Sequence, residues 1–425
     1  MGSQAKQTKV DDQAALLFAR LRAGASTVWL NPAVSALNVT QSDRDEIQCA
    51  AERFARFEPL LRKLFPGQGW DGRIVSGLAP YADPPADMAD TWIKCDHALP
   101  MTGSIKARGG VHELLCYVEK IARDEALLAP GEPIEALLEP QAQAVLNLHS
   151  VAVASTGNLG FSIGLVARAL GLNAEIHMSI DAKEWKKERL RALDAKVIEH
   201  ECHYTETVAR ARVASTGGQR VHFIDDEQSR DLFFGYAVAA QEVADQLAER
   251  DLTPSLERPL VVYLPCGVGG APGGVLFGLK ALFGAAVVGV FVEPTQSASM
   301  FAALALGGRE TVSIHEIGLD NDTIADGLAV PRVSSFVLEK VGQAIDAVVA
   351  VPDADMLIWM RHAHHANGLR LEPSAAAALA AMEPFKAQGL GSPSLAERLP
   401  QAVHLVWATG GSALPDEEFY KAIAD

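Results

Sequence analysis

Short apolar runs rich in β-branched residues alternate along this chain with segments of helical periodicity. That alternation constrains the fold more than any other feature. Val151-Ala-Val-Ala154 reads as a strand, and Leu159, Ile163, Val166 and Leu170 after it share one helical face that Gly171 closes. Further strands are predicted at 174–178, 196–199, 260–264, 287–292, 347–351 and 403–407. A helix is predicted from about Gly274, and an Ala-rich helix after Pro373. Strand–helix–strand repetition of this kind builds parallel sheets covered by helices. The fold class is therefore α/β, with two three-layer α/β domains and mainly parallel sheets. Residues 1–70 read as a mostly helical extension: Phe54, Phe57, Leu61 and Leu64 fall at helical spacing and Pro66-Gly-Gln-Gly69 ends the run. Asp181 is predicted to cap the next helix, with Glu184 completing a capping box.

Composition narrows the partners. The formal net charge of −16 argues against nucleic acid and anionic membrane surfaces. Cys49, Cys95, Cys116, Cys202 and Cys266 show no CxxC spacing, so neither a disulfide framework nor a structural zinc site is expected. The N-terminal MGSQAKQTKVDDQ lacks an apolar core segment, and a cytoplasmic location is expected.

Ligands of parallel sheets bind beyond the carboxyl ends of the strands. Three such turns carry glycines and hydroxyls. Ser155-Thr-Gly-Asn158 follows the 151–154 strand and offers N–H groups and hydroxyls to an anion, or simply caps a helix. Pro265-Cys-Gly-Val-Gly-Gly-Ala-Pro-Gly-Gly274 lies between a strand and a helix, where successive glycines let N–H groups converge on one anion. A dinucleotide site competes for this loop: Gly267 and Gly269 begin G-x-G-x-x-G and Glu293 ends the next strand, but the sixth position is Pro272. Thr409-Gly-Gly-Ser412 follows the 403–407 strand and places a hydroxyl where a ring nitrogen could be met. Upstream, Lys106 stands in Leu99-Pro-Met-Thr-Gly-Ser-Ile-Lys-Ala-Arg-Gly-Gly110 among small and hydroxylated residues. Pyridoxal phosphate needs a lysine, a phosphate cup and a partner for its ring nitrogen, and the sequence offers all three.

Eight ordered blocks, LPMTGSIKARGG, VAVASTGNLGFSIG, HMSIDAKEWKKERLR, FIDDEQSRDLFFGYAVA, LPCGVGGAPGG, LDNDTIADGLAV, LEPSAAAAL and WATGGS, resemble the bacterial D-serine dehydratases, or D-serine ammonia-lyases. These are fold-type-II pyridoxal-phosphate enzymes of the tryptophan-synthase β-like superfamily. The resemblance implies a lyase that acts on D-serine, and on D-threonine, with pyridoxal 5'-phosphate as cofactor and a monovalent cation near Glu372 as a further option. It implies Lys106 as the Schiff-base and catalytic lysine, and Asn158 as the partner of the ring hydroxyl. Cys266, Gly267, Val268, Gly269 and Gly270 would wrap the phosphate, and Thr409 would meet the ring nitrogen. Ser155, Thr156 and Gly157 would hold the substrate carboxylate, with Asp226 reaching the substrate side. It divides the chain into a large cofactor-binding domain, 1–105 and 233–425, and a small closing domain, 106–232. A small-molecule amino acid is the expected partner, with a monomer or small homo-oligomer as the assembly. Thr102, Ala154 and His203 depart from the family pattern without removing a cofactor contact.

Other functions stay open on the residues alone: an L-serine/L-threonine dehydratase or β-replacement enzyme, a dinucleotide dehydrogenase, or a non-catalytic ligand-binding relative. His362-Ala-His-His365 reads as surface or capping histidines rather than a metal site, Glu372 as a helix-terminus acid, and 183–191 as a solvated helix face.

Overall fold

The computed structural model describes residues 12–67, 69–155, 157–180, 182–201, 204–215, 220–391 and 395–424. Eleven strands form two sheets. The strands are β1 (Thr27–Leu30), β2 (Leu78–Pro80), β3 (Thr91–Lys94), β4 (Ser150–Ala154), β5 (Asn173–Ser179), β6 (Lys196–His200), β7 (Val221–Ile224), β8 (Leu260–Pro265), β9 (Val287–Pro294), β10 (Ala347–Val351) and β11 (Val403–Trp407). The larger sheet runs β1-β10-β9-β8-β11-β3-β2, and the smaller runs β6-β5-β4-β7. Every pairing in the smaller sheet is parallel, and in the larger only the edge strands β1 and β2 run antiparallel.

Strands β8 to β11 are buried along their whole length. Uninterrupted apolar runs such as Leu260-Val-Val-Tyr-Leu264 suit a strand covered on both faces by helices, and alternation is not required of them. Thr27-Val-Trp-Leu30 makes the N-terminal extension less helical than the sequence predicts. Its β-branched and aromatic residues pair with 347–350 as an edge strand between the helices Asp12–Arg22 and Gln41–Leu64. Among the described residues, no helix is long and apolar enough to cross a membrane.

Two local predictions are corrected. The helix expected from about Gly274 begins at Gly270, because Pro272 falls in its first turn, where no intrahelical N–H is needed. The helix Glu184–Arg191 has Lys183 at its N-cap with no side-chain cap, so Glu184 closes no capping box; Asp181 lies outside the described residues.

A buried ion network ties the larger sheet to the helix Lys106–Asp124. Asp96, in the turn after β3, accepts from Arg108 Nε and Nη2 at 2.8 Å each, Trp407 Nε1 at 2.8 Å and Ser76 Oγ at 2.7 Å. Arg108 Nη1 also donates to Glu242 at 2.7 Å, and Glu242 pairs with Lys94. Burial by itself would raise the Asp96 carboxyl, but the charges of Arg108 and Lys94 and the hydrogen bonds hold it below its usual range. Asp96→Asn removes one charge from a paired, desolvated set. It is expected to cost about 3–5 kcal/mol of stability, seen as a lower guanidinium midpoint with the native fold retained.

Candidate active site

The cleft between the two sheets holds about 860 Å³, its open mouth included. Lys106 reaches it from the first turn of its helix. The preceding loop turns through Met101 and Gly103, both at positive φ, and Ile105 N–H then donates to Thr409 O at 2.8 Å. A bridge between Ser104 and Gly410 completes this tie, so the lysine and the strand-end threonine are set side by side by backbone. Among the described residues, Lys106 Nζ has no carboxylate partner and lies 5.9 Å from the centre of the Tyr236 ring. A lysine on a surface would be solvated, whereas this one faces into a lined cleft.

The loop after β8 forms the second wall. Gly269 adopts φ 108° as N-cap of the helix Gly270–Phe283, with no side chain capping that terminus. The N–H groups of Gly267, Val268, Gly269 and Gly270 have no protein acceptor among the described residues, and the helix dipole adds partial positive charge. A Cβ on Gly267 would sit 3.0 Å from Gly327 O, so the cup is kept open by the lack of side chains. Free N–H donors, a cradle that a Cβ on Gly267 would crowd, an unpaired lysine and the Thr409 hydroxyl in one cleft fit pyridoxal phosphate. Cys266, expected in the phosphate cup, is not part of the cleft lining: its N–H donates to Val292 O at 2.7 Å, its side chain is fully buried and its thiol donates to Gly267 O at 3.4 Å.

The third wall is the turn after β4. Ser155 Oγ accepts from Gly157 N at 3.2 Å and Gly160 N at 3.0 Å, fixing the start of the helix Asn158–Ala169. Thr156 lies outside the described residues. Asn158 Nδ2 donates to Glu372 Oε1 at 2.8 Å. Gly410 makes this contact fit, since a Cβ there would fall 2.3 Å from that same oxygen. Burial and the charge of Asp326 raise the Glu372 carboxyl, against the opposing effects of Lys186 and the Asn158 hydrogen bond. Glu372 thus serves the cleft rather than capping its own helix, Pro373–Ala380. Asp226 lines the cleft, while Asp225 turns away to Arg212 Nη2 at 2.6 Å.

The helix Glu184–Arg191 is not the solvated face that its charges predict. Lys186 lines the cleft and pairs with Asp326, and Lys187 is buried against Glu199 at 2.7 Å. The Arg189 guanidinium lies 3.4 Å over the Phe161 ring. Glu293, the acid a dinucleotide ribose would need, is fully buried and accepts from Met300 N and Phe301 N at 2.8 Å each. It caps the helix Ser299–Ala305 and does not reach the cleft lining. His362 bonds Tyr81 Oη at 2.7 Å and Asp83 at 3.1 Å, as a surface histidine would. His203 lies outside the described residues.

An α/β chain that sets a free lysine against an anion cup has the build of a pyridoxal-phosphate enzyme. The family described as pyridoxal-phosphate dependent enzyme matches residues 81–396. A probable D-serine dehydratase of Rhizobium leguminosarum bv. trifolii is 43% identical over 93% of this chain and 94% of its own length. Another so named, from Burkholderia lata, is 45% identical over 96% of this chain and 94% of its own. Among solved structures, Escherichia coli diaminopropionate ammonia lyase in complex with D-serine superposes with TM-score 0.70 at 18% identity, covering 94% and 96% of the two chains. The chain belongs to the pyridoxal-phosphate dependent enzymes, and by sequence to the D-serine dehydratase family among them.

Gly269→Ala forces a side chain into a left-handed backbone and toward Val337 Cγ1, 3.2 Å from the new Cβ. It is expected to weaken pyridoxal-phosphate binding about tenfold or more, measured by equilibrium dialysis. Burial pushes the Glu293 carboxyl from its ordinary 4.5 up to about 8. The folded chain therefore holds this proton to higher pH than the unfolded chain. The stability it contributes is full below pH 4.5 and is lost as pH rises through about 8. Glu293→Gln should flatten that part of the stability–pH curve in chemical unfolding, and an unchanged slope would count against the assignment.

Proposed function

We propose that this chain is a D-serine ammonia-lyase: it eliminates water from D-serine, and from D-threonine, and yields pyruvate or 2-oxobutanoate with ammonia. The observation that carries the reading is the meeting of Lys106, the free N–H groups of 267–270 and Thr409 in one cleft. The shared name of relatives above 40% identity over nearly the whole chain supports the substrate.

Lys106 would hold the cofactor's aldehyde carbon, Gly267, Val268, Gly269 and Gly270 its phosphate, Thr409 its ring nitrogen and Asn158 its ring hydroxyl. When bound, pyridoxal phosphate supplies a sink for the electron pair left at the substrate's α-carbon. Lys106, with its amine free, would be the base that takes the α-proton onto Nζ. Ser155, Thr156 and Gly157 would hold the substrate carboxylate, and Asp226, which lines the cleft beside Gly270, would reach the substrate side. The β-hydroxyl departs as water, and hydrolysis of the released product gives the keto acid and ammonia. Thr409 is a neutral partner that would leave the ring nitrogen largely unprotonated, which suits elimination better than transamination.

The domain division belongs to this reading: 106–232 is a small unit that closes on 1–105 and 233–425, and closure excludes bulk water from the cleft. So do a cytoplasmic location and a monomeric or small homo-oligomeric assembly.

The purified protein is expected to carry the visible band of lysine-bound cofactor and to form pyruvate from D-serine. Lys106→Ala should lose that band and lose activity by about 10²–10⁴-fold or more. Pyruvate from L-serine alone would move the assignment to an L-serine/L-threonine dehydratase. A colourless protein that takes up no pyridoxal phosphate would sink the reading altogether.

A further inference from the structure

The charged groups that line the cleft are Lys106, Lys186, Asp226, Asp326 and Glu372. Once Lys106 is committed to the cofactor, Lys186 is the one remaining cation among the described lining residues. An incoming amino acid brings a carboxylate into a wall that carries three acids. Like charges at such separations repel strongly where water is excluded. Some group must compensate the substrate's negative end, and one is placed to do so. Lys186 Nζ lies 3.4 Å from where a Cβ on Gly157 would sit, so the ammonium overhangs the turn assigned to the substrate carboxylate.

Lys186 is held there from both sides of the cleft. Its helix, Glu184–Arg191, belongs to the smaller sheet's side, where Lys187 anchors it to Ile180 O at 2.7 Å and to Glu199 at 2.7 Å. Its partner Asp326 lies in the loop that packs on the phosphate cup, as the approach of Gly327 O to Gly267 shows. The same helix reaches across the mouth again, with Arg189 donating to Ala413 O at 3.3 Å and Lys183 pairing with Glu418 at 3.3 Å. The Lys186 side chain is 13% exposed and that of Asp326 40%. Asp326 thus retains access to water and can give up its partner at lower cost than a buried carboxylate could.

We propose that Lys186 is a substrate-binding lysine that pairs with Asp326 in the ligand-free cleft and exchanges that partner for the carboxylate of the amino acid. The proposal rests on the amino-acid lyase reading given above and deepens it: the site selects ligands with a free α-carboxylate through an ion-pair exchange. The two members of the pair then act in opposite directions. Loss of Lys186 weakens carboxylate binding, whereas loss of the Asp326 charge frees the ammonium and strengthens it. A pair that served only to fasten the cleft would make both losses act alike.

The test uses cofactor-loaded enzyme and two probes without a β-leaving group: D-alanine, and D-alaninol, in which a hydroxymethyl replaces the carboxylate. Binding is measured by calorimetric titration. Lys186→Met is expected to weaken D-alanine about tenfold or more and to leave D-alaninol within about twofold, while KM for D-serine rises in step. Lys186→Arg should recover most of the D-alanine affinity, and Asp326→Asn should tighten D-alanine by about twofold or more. Equal losses for both probes in Lys186→Met, or weaker D-alanine binding in Asp326→Asn, would overturn the proposal. Should Lys186→Met not fold, the sign of the Asp326→Asn effect decides. Wild-type enzyme that binds L-alanine in place of D-alanine would refute the D-serine assignment only, and L-alanine against L-alaninol then decides this one. Wild-type enzyme that binds neither enantiomer overturns both.

Discussion

The Asp96 carboxylate joins two parts of the chain that lie far apart in sequence and must meet for the site to exist. One of its oxygens takes Trp407 Nε1, and both take the Arg108 guanidinium. Trp407 ends β11 two residues before Thr409, and Arg108 follows Lys106 by two on the helix. Placing one desolvated acid between them fixes the distance from lysine to threonine without any contact inside the cleft. The acid is stable in this position because its four hydrogen bonds and the nearby positive charges outweigh its desolvation. Backbone does the rest: Ile105 N–H on Thr409 O and the Ser104–Gly410 bridge bring the loop ends together.

On that support the cleft is assembled from unlike electrostatic pieces. A helix N-terminus with uncapped N–H groups makes one wall suited to a phosphate, at no cost in side-chain ordering. A half-buried acid, Glu372, tied to Asn158 and admitted by Gly410, makes another. The Lys186–Asp326 pair crosses the mouth between them. These groups come from both sheets, so the relative placement of the sheets governs the electrostatics that a substrate meets.

Much of the cleft was legible before any coordinates. Lys106, Ser155, Gly157, Asn158, Gly267, Val268, Gly269, Gly270 and Thr409 all line it, and each sits in a turn whose glycines or hydroxyls have few other uses after a strand. Asp226 was separable from Asp225 only in three dimensions, since neighbouring acids on a turn carry the same local signal. Lys186 was misread for a related reason. A charged helix reads as solvated when judged by its own composition, and nothing local reveals that another loop will cover one face. Glu293 misled in the other direction: an acid at a strand end matched a ribose contact in sequence, yet its carboxylate is consumed by two backbone N–H groups of the following helix.

The sequence by itself determined the α/β class, seven of the eleven strands and the loops that bear chemistry, because period, β-branching and glycine placement act over a few residues. Strands β1, β2, β3 and β7 escaped it, for runs of three or four residues have no register until a neighbouring strand is beside them. Tertiary structure alone decided which charges face one another: that Asp96 clasps Arg108 and Trp407, that Asn158 gives an amide hydrogen to Glu372, and that Lys186 meets Asp326. Coulomb and hydrogen-bond energies depend on distance through space and on exclusion of water. Neither quantity is defined until the two sheets have come together.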